Sequence, residues 1–157
     1  MQKMFIGVIG ASQCSPEGYD LAREVGRHIA EGGAALVCGG LLGIMEAACR
    51  GCAEAGGEAV GILPGADRGA ANPFVTLAVP TGMGHARNVI IAHTARVLIA
   101  VEGQFGTLSE IAIGLKLGRP VIALRSWPGI DGVIHVSSAN EAVSRAFTFL
   151  RQPECHP

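Results

Sequence analysis

Val97-Leu98-Ile99-Ala100-Val101-Glu102-Gly103-Gln104-Phe105-Gly106-Thr107-Leu108-Ser109-Glu110 runs from an apolar segment through a glycine-bearing turn into a second apolar segment, residues 111–117. The first segment has the continuous hydrophobicity of a strand buried on both faces, and the last reads as a buried helix. The first amides of a helix lack internal partners and carry the positive end of its dipole, so the turn suits an anion such as phosphate. Thr107 and Ser109 add hydroxyl donors, and Glu110 adds a carboxylate.

The alternation extends in both directions. Phe5–Gly10 reads as a central strand, residues 11–18 as a polar turn containing Pro16, and residues 19–30 as a helix stopped by Gly32-Gly33. A strand over 34–38 leads through Gly39-Gly40 and Gly43 into a helix over 44–55. A strand over 59–63 is followed by an irregular segment, 66–74, and a short strand over 75–79. The turn 81–85 opens a helix over 86–94. Beyond the opening stretch come strands over 120–124 and 133–136, then a helix that Ser138 or Asn140 can cap. Such alternation predicts an α/β fold, a parallel sheet with helices on both faces and right-handed crossovers. No internal repeat, low-complexity tract or linker interrupts it, so residues 1–157 read as a single domain.

Composition excludes several functions. Apolar residues make up 49% and charged residues 16%, which favours a large core and an apolar subunit interface. The formal net charge of -1 leaves no basic footprint for a nucleic acid polymer. Apolar runs end well short of the roughly 18 residues of a membrane span, and no signal-peptide pattern opens the chain. A cytoplasmic protein is the expectation. Cysteines number 5, Cys14, Cys38, Cys49, Cys52 and Cys155, and read as free thiols. Cys49 and Cys52 have C-x-x-C spacing but lie in an Ala-rich helical run, where they read as small packed residues. Cys155 and His156 in the tail carry no signal.

Four turns follow strand ends and should share one rim: Gly10-Ala11-Ser12, Gly39-Gly40 with Gly43, Thr81 to Gly84, and Gly103 to Thr107. Together they suggest a crevice of backbone amides for a phosphorylated, nucleotide-like small molecule. Arg87 is either its cationic partner, placed at a helix start where its charge is unfavourable without an anion, or an ordinary surface arginine. Glu110 has two readings. Thr107-Leu108-Ser109-Glu110 matches a capping box, or Glu110 faces a sugar and stabilises positive charge as an N-glycosidic bond breaks. Glu46 reads as a cap of its own helix or a ligand contact, His85 as a ligand contact, and His93 as a packed, hydrogen-bonded histidine. Asn72-Pro73 either closes over the site or forms a plain turn.

These residues resemble the LOG-like superfamily, once labelled lysine decarboxylase-like, whose hallmark is P-G-G-x-G-T-x-x-E. The hallmark positions are Glu102 to Glu110, with the upstream arginine turn at Gly84-His85-Ala86-Arg87-Asn88. The chain is most similar to the branch containing molybdenum cofactor carrier proteins, through Cys38-Gly39-Gly40, Gly43-Ile44-Met45-Glu46-Ala47, Gly61-Ile62-Leu63-Pro64-Gly65 and Arg87-Asn88. The resemblance implies a modified Rossmann-like fold and a homodimer or higher homo-oligomer. It implies a site containing Gly10, Ser12, Gly39, Gly40, Gly43, Gly84, Arg87, Asn88, Gly103, Gly106 and Thr107. The cargo it implies is molybdenum cofactor, a phosphate-bearing pterin. The alternative is a LOG-type nucleoside 5'-monophosphate phosphoribohydrolase, with Arg87 and Glu110 catalytic and no catalytic metal. Lysine decarboxylation is not expected: it needs a pyridoxal phosphate lysine, and Lys3 and Lys116 lie away from the glycine rim. Three positions depart from the pattern. Glu102 replaces the proline and Gln104 a glycine, and Asn88 stands where LOG enzymes have lysine. Glu102 is expected to point away from the phosphate or to pair with a basic group.

Overall fold

A computed structural model describes residues 2–153, so Cys155 and His156 lie outside the described residues. The elements are β1 (Phe5–Gly10), α1 (Pro16–Glu31), β2 (Ala35–Cys38), α2 (Ile44–Glu54), β3 (Ala59–Leu63), β4 (Leu77–Pro80), α3 (Arg87–Thr94), β5 (Val97–Val101), α4 (Phe105–Lys116), β6 (Val121–Leu124), β7 (Val133–Val136) and α5 (Ala139–Leu150). One sheet of 7 strands has the order β4-β3-β2-β1-β5-β6-β7. Its pairings are all parallel. The chain builds outward from β1 to β4, then crosses back to place β5 on the other side of β1. The strand order therefore reverses between β1 and β5, whose ends pair Gly10 with Val101. Crevices at such switch points are where open α/β sheets take ligands.

Alternate strand residues serve opposite faces. Ile6, Val8, Leu36, Ile99 and Leu124 pack with α1, α2 and α5. Ile9, Val37, Leu98 and Ala100 pack with α3 and α4. The chain fits α1 to α2 with two helical glycines. A Cβ on Gly26 would lie 1.9 Å from the Ala48 carbonyl oxygen, and one on Gly51 would lie 1.8 Å from that of Arg23. The two backbones touch, and this contact offsets the roughly 1 kcal/mol that each mid-helix glycine costs.

Several boundaries differ from the sequence reading. Helix α1 begins at Pro16, not at residue 19, because Ser15 caps it by accepting from Gly18 N at 3.0 Å. Proline is tolerated in the first turn, where no internal partner awaits its missing N–H. β4 begins two residues late. Helix α4 begins at Phe105 with Gln104 as N-cap, so Thr107 lies inside the helix and the Thr107–Glu110 capping box does not form. No side-chain hydrogen bond caps α2, which removes the capping reading of Glu46. Helix α5 uses Ser138, whose Oγ accepts from Glu141 N at 3.1 Å. His93 is exposed rather than packed.

Cys14, Cys38, Cys49 and Cys52 are free thiols, and the last three are fully buried. Burial pushes the Cys52 thiol up to about 11, so it behaves as a small hydrophobe. Among the described residues no helix is long and apolar enough to cross a membrane.

Candidate functional site

A cleft of about 460 Å³ opens at the switch point, within the range of roughly 300–1,000 Å³ seen for small-molecule sites. Three walls enclose it: the turn after β1, the β2–α2 turn, and the starts of α3 and α4.

The α4 wall is held rigidly from both sides. Glu102 has a left-handed backbone, φ 51°, and its carboxylate accepts from Ser15 N at 3.0 Å and from the Ser15 hydroxyl. Gly18 leaves room for it, since a Cβ there would overlap the carboxylate. Glu102 thus points away from the cleft, and its partner is no basic side chain but the N-terminus of α1, whose dipole offers the positive end. On the other side, Ser126 Oγ donates to Glu102 O at 2.5 Å and Trp127 Nε1 donates to Gln104 O at 3.1 Å. The rings of Trp127 and Phe105 sit 5.8 Å apart. Gly106 and Thr107, in the first turn of α4, then face the cleft.

Arg87 is 8% exposed, so it is not a surface arginine. Its Nε donates to Ile62 O at 2.9 Å, and its Nη1 donates to Asn88 Oδ1. Gly39 is bare because the guanidinium passes over it: a Cβ there would sit 2.8 Å from Nη2. Asn88 Nδ2 donates to Ser109 Oγ at 3.2 Å, and Ser109 Oγ donates to Gly106 O at 2.7 Å. The Ser109 hydroxyl is therefore committed within the protein. Asn88, the departure from the LOG pattern, links Arg87 to the first turn of α4. Burial pulls the Arg87 guanidinium below its ordinary value, opposed by the charge of Glu110.

Glu110 lies one turn into α4, 7% exposed and facing the cleft. Among the described residues no hydrogen bond or ion pair reaches its carboxyl. Burial pushes it up to about 8, with Arg87 pulling the other way. A buried ionisable group in a cleft, perturbed in this way, has the character of a functional residue.

The facing wall is apolar. Leu41, Leu42 and Met45 line it, and Leu42 is 58% exposed. Asn72 is buried beneath this wall instead of closing over the cleft. Its Nδ2 donates to Gly40 O at 3.3 Å and to Leu41 O at 2.9 Å, and its Oδ1 accepts from Phe74 N at 3.1 Å. Ala11, Ser12 and Gln13 form the remaining edge, with His85 at the rim.

Of the residues singled out in the sequence, the fold brings Gly10, Ser12, Arg87, Asn88, Gly106, Thr107 and Glu110 onto one cleft. Gly39, Gly40, Gly43, Gly84 and Gly103 are not among its lining residues. Close packing accounts for most of them. A Cβ on Gly40 would meet Leu63 at 2.8 Å, on Gly43 the Ala11 carbonyl oxygen at 2.4 Å, and on Gly103 the Thr107 Oγ1 at 2.3 Å. Gly84 has open space around it and φ 56°. Sequence reasoning missed Gln13, Leu41, Leu42 and Met45 as lining residues. Their only signal was adjacency to strand ends, and Met45 lacked even that until its helical register was known.

The switch-point cleft, buried arginine and glutamate-bearing helix start define a Rossmann-like, ligand-binding α/β protein of the LOG-like superfamily. The model of the SLOG cluster4 family matches residues 3–154, and the chain belongs to that family. Its fold superposes on the molybdenum cofactor binding protein of the phototrophic bacterium Rippkaea orientalis with TM-score 0.91, at 33% identity, covering 96% of this chain and 99% of that one. The molybdenum cofactor carrier protein of Chlamydomonas reinhardtii gives TM-score 0.87 at 31% identity, covering 96% and 100%. An uncharacterised protein of Archaeoglobus fulgidus is 46% identical over 144 residues, 92% of this chain and 95% of its own length.

Proposed function

We propose that this protein binds and carries molybdenum cofactor in the switch-point cleft. The carrying observation is that cleft, set in a fold that matches cofactor-binding proteins along nearly the whole chain. The ligand's phosphate lies against the first turn of α4, where the Gly106 backbone is bare and the Thr107 hydroxyl is free to donate. Arg87 supplies the positive charge, and Ser12 and Asn88 complete that end. Gly10, Gly39, Gly40, Gly43, Gly84 and Gly103 shape the walls that hold these groups in place. The pterin lies along the apolar wall of Leu41, Leu42 and Met45. In this reading the protein is cytoplasmic and pairs with further copies of itself. The exposed apolar side chains Val89 and Phe105, at 41% and 78% exposure, support a face for that pairing. Purification from a cofactor-producing host should yield bound pterin and molybdenum in equal amounts. A protein saturable by nucleoside monophosphates but never by cofactor refutes the assignment. Light scattering of the same sample reads the oligomeric state.

One observation favours a second reading, a phosphoribohydrolase: Glu110 is buried, unpaired and close enough to Arg87 for their charges to act on each other. Incubation with AMP and N6-substituted analogues decides it, because release of free base that is lost in Glu110→Ala is required. A resident metal and pyridoxal phosphate have no part in either reading.

A further inference from the structure

We infer that Glu110 reads the ring of the bound ligand: its carboxyl accepts the paired N–H donors of a 2-amino-4-oxo ring edge, as pterin and guanine present. The inference rests on the proposed use of the cleft for a phosphorylated ring ligand.

Six polar or charged side chains are buried among the described residues: Asn72, Arg87, Asn88, Thr107, Glu110 and Ser126. Asn72, Arg87, Asn88 and Ser126 hydrogen-bond within the protein. Thr107 and Glu110 do not, and both line the cleft. Both side chains are largely buried yet open to the cleft, so a ligand that displaces solvent there must supply their hydrogen-bond partners.

The two groups ask for different chemistry. Thr107 can donate to phosphate. Ligand N–H donors favour the charged carboxylate, so their arrival releases the Glu110 proton to solvent; ionised, Glu110 is acceptor-only and repels phosphate, and it takes the end of the ligand that carries donors. Its two oxygens accept two parallel N–H groups in one plane, the match by which carboxylates recognise an amidine-like edge. Pterin and guanine offer that pair as a ring N–H beside the 2-amino group. Adenine sets a ring-nitrogen acceptor beside its amino group, which would face a carboxylate oxygen. Arg87 does not consume this capacity: its Nε is held by Ile62 O and its Nη1 by Asn88, and among the described residues no hydrogen bond or ion pair joins it to Glu110. Its charge still offsets the ionised carboxylate once ligand donors complete the site. Leu41, Leu42 and Met45 provide the surface on which a flat ring lies.

The test uses titration calorimetry with the phosphate monoester of 6-hydroxymethylpterin, the lumazine counterpart lacking the 2-amino group, and ribose 5-phosphate. Wild type should prefer the pterin over the lumazine by about 10-fold or more, the value of a hydrogen bond to a charged group. Glu110→Gln should shrink that ratio to less than about 3-fold and leave ribose 5-phosphate affinity unchanged. The wild-type ratio alone tests the inference should the variant fail to fold. Pterin and lumazine bound equally by wild type, or a ratio that survives in Glu110→Gln, overturns it. An equal loss of ribose 5-phosphate binding also overturns it, by assigning Glu110 to sugar hydroxyls. These outcomes leave the carrier reading standing, whereas a wild type that binds neither pterin nor cofactor removes both.

Discussion

Glu110→Gln should change the pH dependence of folding in a direction opposite to that of most carboxylates. The ordinary carboxyl value is 4.5, and burial raises that of Glu110 to about 8 in the folded protein. Between these values the folded state holds a proton that the unfolded state has lost. Stability falls with pH where the folded state binds more protons, so wild type is penalised progressively from pH 4.5 upward. At about 1.36 kcal/mol per pH unit, the full penalty above pH 8 is on the order of 4–5 kcal/mol. Glutamine carries no such proton. The variant should therefore gain on wild type by about 3–4 kcal/mol between pH 5 and 8. For a domain of this size that corresponds to roughly 10 °C in relative Tm. Any fixed cost of burying the amide shifts the two curves without changing the slope of their difference. The lowered carboxyls of Glu31 and Glu54 do not overlap this window, because their contribution is present above 4.5 and is lost below it. Thermal or urea denaturation of both proteins at pH 5, 6, 7 and 8 measures the effect. A difference constant to within about 0.5 kcal/mol across that range refutes the claim that Glu110 is buried without a partner.

Three further outcomes follow from particular contacts. Gly51→Ala should destabilise by about 3 kcal/mol in urea unfolding, since its Cβ would meet a backbone oxygen at 1.8 Å, while Gly65→Ala, with open space around it, should stay within about 0.5 kcal/mol. Glu102→Ala removes the acceptor for Ser15 and should cost about 1–2 kcal/mol of stability, with a smaller loss of ligand affinity than Arg87→Lys, because Glu102 supports the α4 wall without lining the cleft. Arg87→Lys should weaken cofactor binding about 10-fold or more in direct titration, since one ammonium cannot hold Ile62 O and Asn88 and still present a fixed charge to phosphate.

The alternation of apolar runs with glycine turns settled the α/β class, and every expected strand and helix is present. Parallel pairing followed as well, because strands this uniformly apolar must be covered on both faces. The superfamily was legible from Glu102 to Glu110 and the Arg87-Asn88 turn, since turn and helix-start chemistry is local and survives in linear order. Three-dimensional packing decided what those residues do. The capping-box pattern at Thr107 was locally plausible, yet Trp127 and Ser126, distant in sequence, hold the turn so that the helix starts at Phe105. The glycines read as a phosphate cradle mostly make room for Arg87, Thr107 and neighbouring backbone, a distinction that spacing cannot express. Arg87 stood between a ligand's partner and a surface arginine until β3 supplied Ile62 O and buried it. Glu102 looked like an intruder in a phosphate turn until α1 supplied Ser15. Glu110 stood between two readings because a helix cap and a ligand-facing carboxyl share one local pattern. Burial without a partner separates them, and burial is a property of the whole fold.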